Sequence, residues 1–127
     1  MASKFLVDTQ VFILWMENSK RLPESIYTLL NNPKIQIFLS VASIWEIIIK
    51  KQKKKLKLLV NLEEGIKTSG FRVIPIEVTD VLKVSSLKLH HNDPFDRILI
   101  AQSQTRKLTL ITSDPKIQNY KSRILEF

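Results

Sequence analysis

The sequence predicts an α/β fold, with a central, mainly parallel sheet carrying helices on both faces. Three observations lead there. Four short runs of apolar and β-branched residues (KFLV, IQIFL, FRVIPI and LTLI) are spread along the chain. Stretches with helix signals separate each run from the next, the pattern of strand–helix–strand units. Hydrophobic residues make up 44% of the chain and cysteine is absent, so the core must be built by packing alone.

Taken in order, residues 4–7 (KFLV) read as a short buried strand ending on Asp8. Residues 9–17 and 23–30 read as helices, and 35–39 (IQIFL) as a strand closed by Ser40 as a helix N-cap. The helix from residue 41 to about 55 is apolar at first and strongly basic later. A short helix at 62–68 stops at Gly70, and residues 71–76 (FRVIPI) form a strand that Pro75 pushes toward a sheet edge. Thr79 is read as the cap of a helix reaching about residue 87. Pro94 opens a helix to residue 106, residues 108–111 (LTLI) form a strand, and a last helical turn follows Pro115. In such folds, sites form beyond the carboxyl ends of the strands.

The 127 residues fit one domain, 1–127, with no internal repeat and two glycines. Absence of cysteine excludes disulfide scaffolds, thiol nucleophiles and cysteine zinc sites. The apolar run before Asp8 is too short for a signal peptide or membrane span, so the expected setting is cytoplasmic. The net charge of +8 favours a polyanionic partner. Lys50, Lys51, Lys53, Lys54, Lys55 and Lys57 form one dense run, a candidate RNA-binding stretch; its plain alternative is a solvated helix end.

Of five aspartates, four fall at element junctions: Asp8, Asp93, Asp96 and Asp114. Each has a capping alternative. Asp8 and Asp114 follow strands and precede helical segments, and in HNDPFDR Pro94 places Asp93 at an N-cap and Asp96 at N3. Capping suffices for Asp93 and less so for Asp96.

Glu46 carries the argument further. It lies in SVASIWEIIIK among Ile44, Trp45, Ile47, Ile48 and Ile49, so it is expected inside the protein and in need of a partner. Lys50 at i+4 is the plain partner, worth a few tenths of a kcal/mol on a helix surface, which offsets little of the burial. A metal ion would offset more, and Ser43, one turn earlier, is expected to orient the carboxylate. Clustered carboxylates without His or Cys suit Mg²⁺ or Mn²⁺, and such sites suit phosphodiester hydrolysis.

The segments FLVDTQVFILW, FLSVASIWEIIIKKQKKKLKL and LKLHHNDPFDRILIAQSQTRKLTLITSDPKIQNY together resemble a PIN-domain protein of the VapC toxin type, over nearly the whole chain. The resemblance implies a three-layer α/β/α fold, Mg²⁺- or Mn²⁺-dependent endoribonuclease activity with one or two ions, and a cognate antitoxin. By motif it assigns Asp8, Glu46, Asp96 and Asp114 as catalytic and metal-binding acids, with Asp93 as a further candidate ligand. Thr9, Ser43, Arg97, Thr112 and Ser113 would line the cleft. Cleavage of single-stranded or loop RNA would leave 5′-phosphate and 3′-hydroxyl ends.

His91 also fits the pattern but is read as packing or loop structure, since adjacent His90 and His91 point apart in extended chain. Trp15 and Trp45 are read as core or dimer surface. Val11, Phe12, Leu14, Trp15, Ile47 and Ile48 exceed one buried face and are expected to include a groove for an antitoxin or a homodimer seam. Rival readings are a phospho-receiver domain, an RNA-binding module without catalysis and a non-toxin RNA-processing nuclease. The first wants an acidic pair near the first strand, where only Asp8 stands; the second leaves Glu46 unexplained.

Overall fold

A computed structural model describes residues 4–89, 92–120 and 122–127. The elements are β1 (Lys4–Val7), α1 (Thr9–Met16), α2 (Glu24–Leu30), β2 (Gln36–Ser40), α3 (Val41–Gln52), α4 (Leu62–Ser69), β3 (Arg72–Ile74), α5 (Val78–Val84), α6 (Pro94–Thr105), β4 (Thr109–Thr112), a 3₁₀ turn (Ile117–Asn119) and β5 (Ile124–Glu126). All strand pairs are parallel, in the order β3-β2-β1-β4-β5. The N-terminal strand is therefore central: Phe5 pairs with Ile37 on one side and Thr109 on the other.

Side chains alternate across the sheet as the strand period requires. Val7, Ile37, Leu39 and Ile111 face one core with α1 and α2, where Phe12, Leu14, Ile26 and Leu30 are buried. Leu6, Phe38, Ile74 and Leu110 face the other core with Ile98, Leu99 and Ile100 of α6. The result is the expected three-layer α/β/α arrangement. Only α3 serves both cores among the described helices, giving Ile47 to the first and Ala42 to the second. Glu46 sits between them in the sequence, on a helix that ties both layers together. Gly65 lets α4 come close to α1, since a Cβ there would lie 2.5 Å from Met16 Sδ.

Several boundaries differ from the sequence reading. The expected strand at 71–76 pairs only over Arg72–Ile74, and it is an edge strand as Pro75 suggested. Glu77, not Thr79, is the N-cap of α5, and its N–H donates to Asp80 Oδ2 at 2.9 Å. The reciprocal carboxylate contact outcompetes a hydroxyl that lies one residue inside the helix. The third helix ends at Gln52 rather than near residue 55, because Lys54 turns left-handed (φ 56°) and its N–H bonds to Lys51 O. The strand β5 was not anticipated.

The groove expectation needs correction. Val11, Phe12, Leu14 and Ile47 are all buried, because α1 and α3 pack on the sheet and on each other. Trp15 is half-buried against Phe12 and Phe71. Of the six residues, Ile48 alone is exposed, on a stripe with Val41 and Trp45 at i, i+4 and i+7. Among the described residues no helix is long and apolar enough to cross a membrane. His90 and His91 lie outside the described residues.

Candidate active site

The strand order reverses beside β1: β2 and β3 extend one way, β4 and β5 the other. Open parallel sheets form their crevice at such a switch point. Asp8 directly follows β1, and Asp114 lies two residues past the end of β4. The Asp8 N–H extends the ladder to Ile111 O at 3.1 Å, which fixes where its side chain leaves the sheet. Asp8 Oδ1 accepts from Val11 N–H at 2.8 Å, so the capping reading is correct as far as it goes. Thr112 joins the two acids: its side chain hydrogen-bonds Asp8, and its Oγ1 accepts from Asp114 N–H at 3.0 Å. Asp114 caps a turn, not an α-helix, through Oδ1 and Lys116 N–H at 2.9 Å.

The next acid arrives from β2. Ser40 ends that strand and caps α3 by accepting from Ala42 N–H, so the helix leaves the carboxyl edge of the sheet. Glu46 is buried, at 4% exposure. Thr9 donates to its Oε1 at 2.6 Å, and Lys50 Nζ lies 2.8 Å from its Oε2. The partner that its burial demanded is thus a hydroxyl and an ammonium, and Glu46 by itself does not require an ion. Ser43 acts one step removed, its Oγ lying 3.0 Å from Thr9 Oγ1.

The last two acids begin α6. Asp93 is its N-cap, with Oδ1 accepting from Phe95 N–H and Asp96 N–H, and Asp96 follows in the first turn. Asp8, Glu46, Asp93, Asp96 and Asp114 line one cavity of about 250 Å³, with Thr9, Ser113 and Lys50 also on its wall. All the acids singled out in the sequence as candidate ligands therefore meet. Gln10 and Ile13 also line it and were not foreseen; one turn of α1 carries them there, but no charge marked them.

Other candidates stand elsewhere. Ser43 and Thr112 are fully buried behind the wall. Arg97 points away: its guanidinium donates to the carbonyls of Val84, Leu87 and Lys88 and to Tyr120 Oη, so it staples α6 to the end of α5. Lys51, Lys53, Lys54, Lys55 and Lys57 are exposed at the far end of α3. Lys54 occupies a left-handed position that usually favours glycine. Lys50, read as part of that run, instead reaches into the acid cavity.

Burial raises the Asp8 carboxyl to about pH 6; hydrogen bonds from Thr112 and Val11 oppose this, and the charges of Asp114 and Glu46 add to it. Lys50 moves upward from its ordinary value: burial works against its charge, but the hydrogen bond and charge of Glu46, then Asp93 and Asp96, outweigh it. The fifth aspartate, Asp80, is buried far from this cluster, where Thr105, Gln102 and Arg106 all bond it and clamp α5 to α6. Among the described residues no three such side chains are set to hold an ion as they stand. The donor set itself, five carboxylates and hydroxyls, suits a hard divalent cation.

The comparisons agree with this architecture. The family model described as PIN domain matches residues 5–122. No curated protein matches the chain. Solved structures share the fold. A toxin–antitoxin complex from Klebsiella pneumoniae has a chain 21% identical with TM-score 0.66, covering 95% of each chain. VapBC2 from Rickettsia felis, bound to a DNA fragment from its promoter, is 14% identical with TM-score 0.69 over 98% of each chain. DNA-bound VapBC from Salmonella typhimurium is 16% identical with TM-score 0.69, over 99% of this chain and 98% of that one.

Proposed function

The chain belongs to the PIN domain family, and from that premise we propose that it is a single-domain, divalent-metal-dependent endoribonuclease, the toxin of a toxin–antitoxin pair acting in the cytoplasm. The observation that carries the reading is the convergence of five carboxylates on one cavity at the switch point of the sheet. Like charges gathered in one cavity cost stability, and a bound divalent cation would offset that cost.

Asp8, Glu46, Asp96 and Asp114 would hold Mg²⁺ or Mn²⁺, with Asp93 divided between that role and its cap. Such an ion, when bound, acidifies water and stabilises charge on the phosphoryl oxygens. The chain's own residues prepare the site. Thr9 and Thr112 fix the carboxylates so that little reorganisation remains during reaction. Lys50 and the lysines that follow attract the RNA backbone. Hydrolysis places the water oxygen on phosphorus and releases the 3′ oxygen with a proton, giving the 5′-phosphate and 3′-hydroxyl ends that the family resemblance implies.

An antitoxin partner is supported by the family resemblance and by the toxin–antitoxin complexes that share the fold. A second copy of the chain is the proposed cover for the exposed stripe Val41, Trp45 and Ile48. The test is cleavage of single-stranded RNA with Mg²⁺ or Mn²⁺ and with chelator. Asp8→Asn and Asp96→Asn should lose activity by orders of magnitude while remaining folded, and full activity in either would sink the reading. If a short neighbouring gene encodes the antitoxin, co-expression with it should yield an inactive complex. A chain that cuts RNA but is harmless and finds no small partner would be an RNA-processing nuclease instead.

A further inference from the structure

Among the described residues lining the acid cavity, Lys50 is the one cation. Its side chain is 47% exposed, whereas that of Glu46 is 5% exposed, so the lysine stem reaches from the surface inward to a buried carboxylate. Glu46 Oε1 is already taken by Thr9, and Oε2 by Lys50 at 2.8 Å. A divalent ion that uses Glu46 meets an ammonium already in place.

We propose that Lys50 is a built-in stand-in cation: its ammonium holds the place on Glu46 that a divalent ion takes, and ion entry displaces it toward the RNA phosphate. This rests on the metal-dependent nuclease reading above. The cavity gathers five carboxylates, and one positive charge among them relieves part of their repulsion. Once a doubly charged ion enters, the same ammonium is repelled by it. The half-exposed stem of Lys50 can then swing outward into solvent, where Lys53 and Lys54 also stand exposed. There it meets an incoming phosphodiester. Lys50 is thus a positioning residue with two successive partners, first the chain's own acid and then the substrate, and it sets the metal affinity lower than the carboxylates alone would.

The experiment is calorimetric titration of the purified chain with Mn²⁺, without RNA, comparing wild type, Lys50→Met, Lys50→Arg and Lys51→Met. Lys50→Met should bind Mn²⁺ about tenfold more tightly, from removal of one nearby positive charge. Its metal-free melting temperature should fall, and Mn²⁺ should restore it. Lys50→Arg should bind no more tightly than wild type, because the guanidinium also pairs with Glu46. Lys51→Met changes net charge equally but should shift affinity by no more than about twofold. Should Lys50→Met fold poorly, Lys50→Gln makes the same comparison. Equal or weaker Mn²⁺ affinity on loss of the Lys50 charge overturns the proposal alone. So does equal tightening by Lys51→Met. Absence of Mn²⁺ binding in every protein, wild type included, overturns the metal-dependent reading as well.

Discussion

The Thr9 hydroxyl donates to Glu46 Oε1 at 2.6 Å, joining the first turn of α1 to the middle of α3. Both residues are buried, so the bond is made largely out of reach of bulk water. A hydrogen bond to a buried charged group contributes about 1.5–3 kcal/mol. Thr9→Val keeps the shape and removes the donor. It should lower stability by about that amount and reduce RNA cleavage, whereas Thr9→Ser should retain both. Urea denaturation and a cleavage assay on the pair decide this, and an unaffected Thr9→Val would show that Lys50 alone suffices for Glu46.

Asp8 makes the stability of the metal-free chain depend on pH. Its carboxyl titrates near 3.8 when unfolded and at about 6 when folded. As pH rises between those values, the unfolded state releases the proton first, so the native state loses stability across that window. The loss amounts to about 3 kcal/mol at 1.36 kcal/mol per pH unit of displacement. Asp8→Asn keeps an N-cap side chain but has no such titration. In chelator, its stability advantage over wild type should grow by about 2.4 kcal/mol from pH 4 to pH 7, the rest of the change falling outside that range. A constant difference across that range would refute the assignment of the raised value to Asp8.

Asp80 behaves in the opposite sense. Burial pushes its pKa up, but the Glu77 N–H, Thr105, Gln102 and the Arg106 charge outweigh this and lower it. Its contribution is present above the unfolded value of 3.8 and lost as pH falls through the lower folded value. Asp80→Ala leaves Arg106 partly buried without its carboxylate, and we expect a loss of about 2–4 kcal/mol at pH 7. Metal-binding stoichiometry should not change, because Asp80 is remote from the acid cavity. Thermal denaturation together with Mn²⁺ titration separates the two effects.

The exposed lysines test binding apart from chemistry. Lys53, Lys54 and Lys55 changed together to Gln should weaken binding of single-stranded RNA. The salt dependence should flatten by up to about 0.7 in slope per lost contact. Affinity indifferent to these changes at low salt would mean that the run is simply the solvated end of α3.

Strand-end acids were legible because Asp8 directly continues an apolar run and Asp114 follows another after Thr112 and Ser113, and Glu46 because an acid among isoleucines is conspicuous. What their partners would be was less legible. Lys50 was visible as an i+4 neighbour, but its reach into the cavity depends on which face α3 turns inward. Arg97 follows Asp96 directly, yet one residue is about 100° on a helix, enough to send it to α5 instead of the cleft. The strand β5 was missed because three residues, Ile124–Glu126, are too few for any periodicity to register. Asp80 was overlooked because only its capping bond from the Glu77 N–H is local; Gln102, Thr105 and Arg106 lie more than twenty residues away.

The central position of β1 bears on how the molecule comes into being. Its pairing with β4 joins Phe5 to Thr109 and Val7 to Ile111, contacts that span nearly the full length of the chain. Pairings of such high contact order form late, after the entropy of closing a long loop has been met. During synthesis Asp8 is made well before Asp114 and its tether Thr112. A chain that has not yet made β4 therefore cannot bring Asp114 to Asp8, and the acid cavity closes only once β4 has paired with β1.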